Sequence, residues 1–201
     1  MTQTAKFKTQ FIYLHGFNSG FNPDAMKSQQ LAELSGSPIV GFSINYLNPI
    51  EVQQLKDLIS NCITEFDGET IIVGTSLGGY FARYFSNRFS TRCILLNPAV
   101  KPYNSLMRAV GSQTNYFTGE EYTVHSASIA DLVLYETQDV PDTLMILAYD
   151  DEVIPYELPR DAYPECKAVL TLGGHRLKDL NSVSAEITAF INRLPASDTI
   201  F

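Results

Sequence analysis

The chain has 201 residues and a mass of 22.4 kDa, a length that fits one domain able to bury a core without disulfides or metal. It is 45% hydrophobic, 18% charged and 11% aromatic, too apolar and too weakly charged for a disordered chain. Fourteen basic against twenty-two acidic residues give a net charge of −8; no segment concentrates Lys and Arg, which excludes nucleic acid held by counterion release.

In chain order, short β-rich runs alternate with helical periods. The runs at residues 11–14, 39–44, 70–73, 93–96, 144–148 and 168–172 predict about six strands. Several lack polar alternation, as strands covered on both faces do. Asn48 as cap and Pro49 at the first helical position predict a helix carrying Val52, Leu55, Ile59, Cys62 and Ile63 at the 3.6-residue period. Residues 78–89 predict an aromatic-rich helix with Tyr80, Phe81, Tyr84, Phe85 and Phe89. A last helix starts at Asn181–Ser182 and carries Val183, Ile187, Phe190, Ile191 and Leu194. This order predicts an α/β architecture, a shortened and mostly parallel sheet flanked by helices.

Residues 97–143 interrupt the alternation. The segment is longer than joining two neighbouring parallel strands requires, and such insertions usually form lids or binding loops. Its Tyr103, Met107, Tyr116, Phe117 and Tyr122 are the expected substrate-pocket residues. A short helical pattern, Ile129, Leu132 and Val133, follows them. The domain expectation is therefore one unit over residues 1–201 with a cap at 97–143.

No stretch approaches the roughly 18 apolar residues of a membrane span, and the start of the chain lacks the apolar core of a signal peptide. Cys62, Cys93 and Cys166 are an odd number without a CxxC pair, which predicts buried, reduced thiols in a cytoplasmic protein. His15, His125 and His175 lie far apart in sequence and no HExxH occurs, so no metal site and no cofactor is expected. The residues carry no signal of oligomeric state.

The chemistry concentrates in Gly74–Thr75–Ser76–Leu77–Gly78, a G-x-S-x-G run between a strand and a helix. The sharp turn it predicts displays the Ser76 hydroxyl above the sheet, ahead of a helix N-terminus that favours developing negative charge. A serine hydroxyl becomes a nucleophile only when a base takes its proton and an acid orients that base. The carboxylates Asp150, Asp151 and Glu152 follow the fifth run, and His175 follows the sixth. Both therefore fall in the order Ser, acid, His. Asp151, in Asp151–Glu152–Val153–Ile154–Pro155, is the first choice of acid, with Asp150 or a distant residue such as Asp131 as alternatives. A solvated loop face is the expectation for the remaining carboxylates. His15–Gly16–Phe17–Asn18 after the first run is the expected second wall of an oxyanion hole, with the backbone N–H groups of Phe17 and Leu77 as donors. His15 is expected to shape that loop, and His125 to be structural or to line the pocket.

Tyr13–Leu14–His15–Gly16–Phe17–Asn18–Ser19, Gly74–Thr75–Ser76–Leu77–Gly78–Gly79–Tyr80, Leu96–Asn97–Pro98–Ala99, Pro102–Tyr103, Thr118–Gly119–Glu120, Asp151–Glu152–Val153 and Gly173–Gly174–His175 resemble the small bacterial YqiA/YcfP-type esterases. The resemblance runs from about residue 11 to 194. It implies an α/β-hydrolase fold and a carboxylic-ester hydrolase with Ser76, Asp151 and His175 as its triad. Some YcfP-type relatives lack the nucleophilic serine; this sequence keeps it. The histidine loop is one residue shorter than the Gly-Gly-x-His of close relatives. The expected substrate is a small acyl ester or thioester. A catalytically silent binding or scaffold protein, and an acyltransferase or peptidase using the same triad, are the alternatives.

Overall fold

The structure, a computed structural model, describes residues 8–138 and 141–193. Among the described residues eight strands form: β1 (Thr9–Leu14), β2 (Val40–Gly41), β3 (Glu69–Thr75), β4 (Arg92–Leu96), β5 (Gly111–Thr114), β6 (Glu121–Val124), β7 (Thr143–Ala148) and β8 (Lys167–Thr171). Six of them make one sheet in the order β2-β1-β3-β4-β7-β8, and every pairing in it is parallel. β5 and β6 form a separate antiparallel hairpin.

Parallel strands need crossovers, and the helices provide them: α1 (Met26–Ser35), α2 (Pro49–Glu65) and α3 (Leu77–Phe89) follow the first three strands. Side chains of one strand alternate between the two faces, so the sheet separates two apolar layers. Phe11, Ile71, Val73, Ile94, Leu96, Leu144 and Ile146 pack with Leu31 of α1 and with Ile187 and Phe190 of the last helix. Ile12, Leu14, Ile72, Cys93, Leu95, Met145 and Leu147 pack on the opposite side with Val52, Leu55 and Ile59 of α2 and Phe81 and Phe85 of α3. Covering on both faces is the physical reason the central runs read as continuously apolar.

The expected cap of α2 is present: the Asn48 side chain accepts from Ile50 N at 3.1 Å, with Pro49 in the first turn. Glu51 extends it, accepting from Asn48 Nδ2 at 2.9 Å and from Asn45 N at 2.7 Å.

The structure departs from the sequence pattern at three places, one of them a helix, α1, that the pattern does not predict. The run at 39–44 pairs with β1 only at Val40 and Gly41. Beyond them the backbone donates to side chains instead, Ile44 N to His15 Nε2 at 3.2 Å, so the chain leaves the sheet toward the first loop. α1 carries no apolar stripe; Leu31 is its one fully buried apolar side chain, which leaves little for a period to detect. The last helix is shorter than the pattern: Asn181–Val183 form a 3₁₀ turn and α7 spans Ser184–Ile191, while Leu194 lies outside the described residues.

Between β4 and β7 the chain builds α4 (Pro102–Ser105), the β5–β6 hairpin, α5 (Ser126–Ala130) and a 3₁₀ turn, Asp131–Tyr135. Val124, Ile129 and Leu132 bury this segment against the α2–α3 layer. The Tyr80 hydroxyl donates to Leu132 O at 2.7 Å, and the Tyr135 ring meets Phe81 and Tyr84. The remaining helix, α6 (Glu157–Ala162), joins β7 to β8.

Candidate active site

Strand order reverses direction between β1 and β3, since β1 connects to β2 on one side and β3 to β4 on the other. Such a switch point opens a crevice at the carboxyl ends of the strands. The loop after β1 and the turn after β3 meet there.

The β3–α3 turn holds Ser76 at φ 55° and ψ −121°, a conformation that costs an L residue roughly 1–3 kcal/mol. Its neighbours leave no room for alternatives. A Cβ on Gly74 would run into the Gly78 carbonyl, and one on Gly78 into the carbonyls of Leu14 and His15. Close backbone approach, rather than a positive φ, is why those two positions are glycine. The strained serine is stapled by its own backbone: Ser76 N donates to Leu96 O at 3.0 Å, and Ser76 O accepts from Gly79 N and Ala99 N at 2.9 Å.

The Ser76 hydroxyl lies 3.0 Å from His175 Nε2. The other ring nitrogen, Nδ1, stands 2.9 and 3.0 Å from the two oxygens of Asp151. A carboxylate can only accept, so Nδ1 carries the proton and Nε2 is free to accept from the serine. The Asp151 side chain is 1% exposed and that of His175 15%. Asp151 Oδ1 also accepts from Val153 N and Ile154 N at 2.8 Å, which aims the carboxylate. The carboxylate on the imidazole is that of Asp151, whereas Asp131 is exposed in the segment between β4 and β7.

Asp150 and Glu152 are more than a solvated face. Asp150 Oδ1 accepts from Gly173 N and Gly174 N at 3.0 Å, and Glu152 Oε2 from His175 N at 2.9 Å. Those N–H groups, that of Gly174 first for Asp150 and that of His175 first for Glu152, hold both carboxyls below their ordinary pKa.

On the first loop, Gly16 sits against Ser76, close enough that an added Cβ would lie 3.3 Å from Ser76 Cβ. His15 shapes this loop: its Nδ1 donates to Gly16 O at 2.8 Å while Nε2 accepts from Ile44 N. Burial pushes the His15 pKa below its ordinary value, which keeps the ring neutral. Phe17 follows β1 on this loop, and Leu77 opens α3 directly after Ser76.

The segment between β4 and β7 is fastened to the same loop. Tyr116 N donates to Asn18 O at 2.9 Å, Asn115 Nδ2 to Ser19 O at 3.2 Å, and the Tyr122 hydroxyl to Asn18 Oδ1. Behind Gly16 and Phe17 lies a cavity of about 220 Å³ between this loop, residues 43–46 and the hairpin. Of the five expected pocket residues, Tyr122 alone lines it. Tyr103 is half-buried and donates to Glu136 Oε2 at 2.9 Å. Met107 and Phe117 are about half exposed, and Tyr116 is 77% exposed. His125 is exposed at the start of α5 and is not part of that cavity wall.

Two residues near the site had no role in the sequence reading. Asn97, at the end of β4, reaches the His175 loop. Its signal was a polar residue at a strand's carboxyl end, before Pro98. Lys27 on α1 donates to Thr75 Oγ1 at 3.3 Å and to Arg176 O; no local pattern marks it. Among the described residues no group of three His, Cys, Asp or Glu side chains could hold a metal ion, and no helix is long and apolar enough to cross a membrane. Cys93 and Cys166 are buried and Cys62 is half-buried, all as free thiols.

The model of the uncharacterised protein family UPF0227 matches residues 10–192. A UPF0227 protein of Yersinia enterocolitica is 26% identical over 184 residues, spanning 89% of this chain and 97% of that protein. Among solved structures, Est1E from Butyrivibrio proteoclasticus, determined with ferulic acid bound, superposes with a TM-score of 0.69 at 15% identity, over 94% of this chain and 90% of that one. A monoacylglycerol lipase from Paleococcus ferrophilus gives a TM-score of 0.62 at 14% identity, over 92% of this chain and 98% of that one. These likenesses establish the α/β-hydrolase fold.

Proposed function

The chain belongs to the uncharacterised protein family UPF0227, and we propose that it is a serine hydrolase that cleaves small carboxylic esters through an acyl-enzyme. The observation that carries the reading is the unbroken hydrogen-bonded chain from the Ser76 hydroxyl through His175 to Asp151. A binding protein has no use for a strained serine aligned with a base whose far nitrogen is held by a buried carboxylate.

In this mechanism Ser76 Oγ attacks the acyl carbon while its proton passes to His175 Nε2. Asp151 keeps the imidazole in the Nδ1–H tautomer and stabilises the imidazolium. The carbonyl oxygen, now an anion, is held by the N–H groups of Phe17 and Leu77, the latter in the first turn of α3, whose dipole favours negative charge. His175 then returns the proton to the departing alcohol, and water activated by the same ring releases the acid. Thioesters would undergo the same steps with a thiol as leaving group. Ser76 is half-buried, and the cavity behind the first loop, which reaches the serine's surroundings through Gly16 rather than through Ser76 itself, has room for part of a small-molecule substrate.

A fluorophosphonate probe tests the reading, since it labels a serine only when that serine is activated. The wild-type protein should be labelled and should hydrolyse short p-nitrophenyl esters, and Ser76→Ala should do neither while keeping its melting temperature. A folded wild type that resists the probe and hydrolyses no ester would overturn it.

A further inference from the structure

The loop that carries His175 has an unusual backbone. Gly173 has φ 141°, Gly174 φ 59° and Leu177 φ 41°, so three of five residues occupy conformations that regular elements do not use. Apart from Leu177 N, which donates to Gly174 O at 3.3 Å, its polar backbone groups find side-chain partners outside the loop. The N–H groups of Gly173, Gly174 and His175 go to Asp150 and Glu152, and the Arg176 carbonyl goes to Lys27. The carbonyls of Gly174 and His175 both go to one residue, Asn97.

Asn97 is 2% exposed, and its own backbone has φ 45°, a conformation Asn tolerates better than most residues. Its Nδ2 donates to Gly174 O at 3.0 Å and His175 O at 3.1 Å, while Oδ1 accepts from Ala148 N at 2.8 Å. Two carbonyls require a donor and an N–H requires an acceptor, so these partners fix which way the amide points. No other side chain of this size offers two donors and an acceptor in one plane. Aspartate lacks the donors, and serine has a single one.

We infer that Asn97 is a positioning residue for the base: its amide ties the backbone of His175 to the end of the strand that leads into Asp151. The inference rests on the proposed serine-hydrolase reading. The carboxylates of Asp150 and Glu152 hold the loop by its N–H groups, and Asn97 holds the same residues by their carbonyls. Between them they fix the backbone from which the imidazole stands 3.0 Å from the Ser76 hydroxyl and 2.9 Å from Asp151. Asn97 touches neither the ring nor the substrate position; it acts through the backbone of His175.

The test compares Asn97→Asp and Asn97→Gly with the wild type. Aspartate keeps the shape and the acceptor for Ala148 N but loses both donors. Glycine suits the φ of 45° and removes the side chain, so it carries the comparison should the aspartate variant fail to fold. Three quantities are read: kcat and KM on a short p-nitrophenyl ester, the fluorophosphonate labelling rate, and the downfield proton signal of an imidazole N–H bonded to a carboxylate. A displaced catalytic group costs up to about a hundredfold. The expected result is a roughly 10- to 100-fold fall in kcat and in labelling rate, KM within about threefold, and loss or broadening of the downfield signal. A variant that melts lower yet keeps kcat, labelling rate and that signal would show a scaffold role only and overturn the inference. A wild type that is not labelled at all would instead overturn the serine-hydrolase reading on which it rests.

Discussion

The carboxylate of Glu152 accepts the backbone N–H of His175 at 2.9 Å, so the residue beside Asp151 holds the main chain of the histidine whose ring Asp151 orients. Asp150 does the same for Gly173 and Gly174. Three adjacent carboxylates thus divide the work on one loop, one on the ring and two on the backbone. Their mutual repulsion is offset by the N–H groups they accept from.

That division gives unequal mutants. Asp151→Asn replaces a group that can only accept with an amide that can also donate to Nδ1, so the Nδ1–H tautomer is no longer selected, and the equivalent change in the serine-protease triad costs about 10⁴ in kcat. Asp150→Asn keeps a side-chain oxygen for the glycine N–H groups and should cost less than about tenfold. Steady-state kinetics on a short ester ranks the two. The reverse ranking would assign the acid to Asp150.

Gly78 and Gly119 separate close approach from backbone strain. Alanine at 78 must push against the carbonyls of Leu14 and His15, a clash with backbone that costs about 3 kcal/mol or more. Gly119 has φ 76° with nothing within 4 Å of an added Cβ, so alanine there costs only the left-handed penalty, roughly 1–2 kcal/mol. At about 2–4 °C per kcal/mol for a chain of this size, Gly78→Ala should melt at least about 6 °C lower and Gly119→Ala clearly less. Equal shifts would contradict the close approach of α3 to β1.

His15 should make the protein acid-sensitive. Its folded pKa lies below the ordinary value because the ring is buried. The unfolded chain therefore binds a proton below about pH 6.5 that the folded protein resists. Stability from this group is complete above pH 6.5 and is lost as the pH falls below it. Thermal unfolding between pH 7.5 and 5 should show a steeper decline for wild type than for His15→Gln, even though the variant starts lower. Parallel curves would mean that the ring takes up its proton in the folded state.

Tyr122 and Tyr116 test whether the segment between β4 and β7 shapes the substrate site. Tyr122 lines the cavity beside the first loop, so Tyr122→Ala should lengthen the preferred acyl or alcohol group. Each methylene newly accommodated is worth up to about 0.8 kcal/mol, close to fourfold in kcat/KM. Tyr116 is mostly exposed, and Tyr116→Ala should change stability by no more than about 0.5 kcal/mol and leave the chain-length profile alone. A profile that moves for Tyr116 and not for Tyr122 would place the substrate elsewhere.

What depends on neighbours in the chain was legible in the sequence. The buried strands, the Asn48–Pro49 helix start, the glycines around Ser76 and the order of serine, carboxylates and histidine are set by local sterics and by apolar period, which a one-dimensional pattern carries. Contacts between distant segments decided the rest. α1 is held by Leu31 and by polar contacts to residues about 150 positions away, such as Gln30 to Leu180, so it has no period to find. The run at 39–44 pairs only through Gly41 because its partner β1 ends at Leu14, and Ile44 N then donates to the His15 side chain. The choice between Asp151 and Asp150 turns on side-chain direction, since neighbouring residues of one loop point different ways and only the arrival of the 173–176 loop tells which faces a ring and which a backbone. Asn97 and the exposed aromatics between β4 and β7 belong with these: an amide, a tyrosine or a phenylalanine reads the same in sequence whether it holds a loop, lines a cavity or faces water, because burial is a property of the surrounding fold and not of the residue.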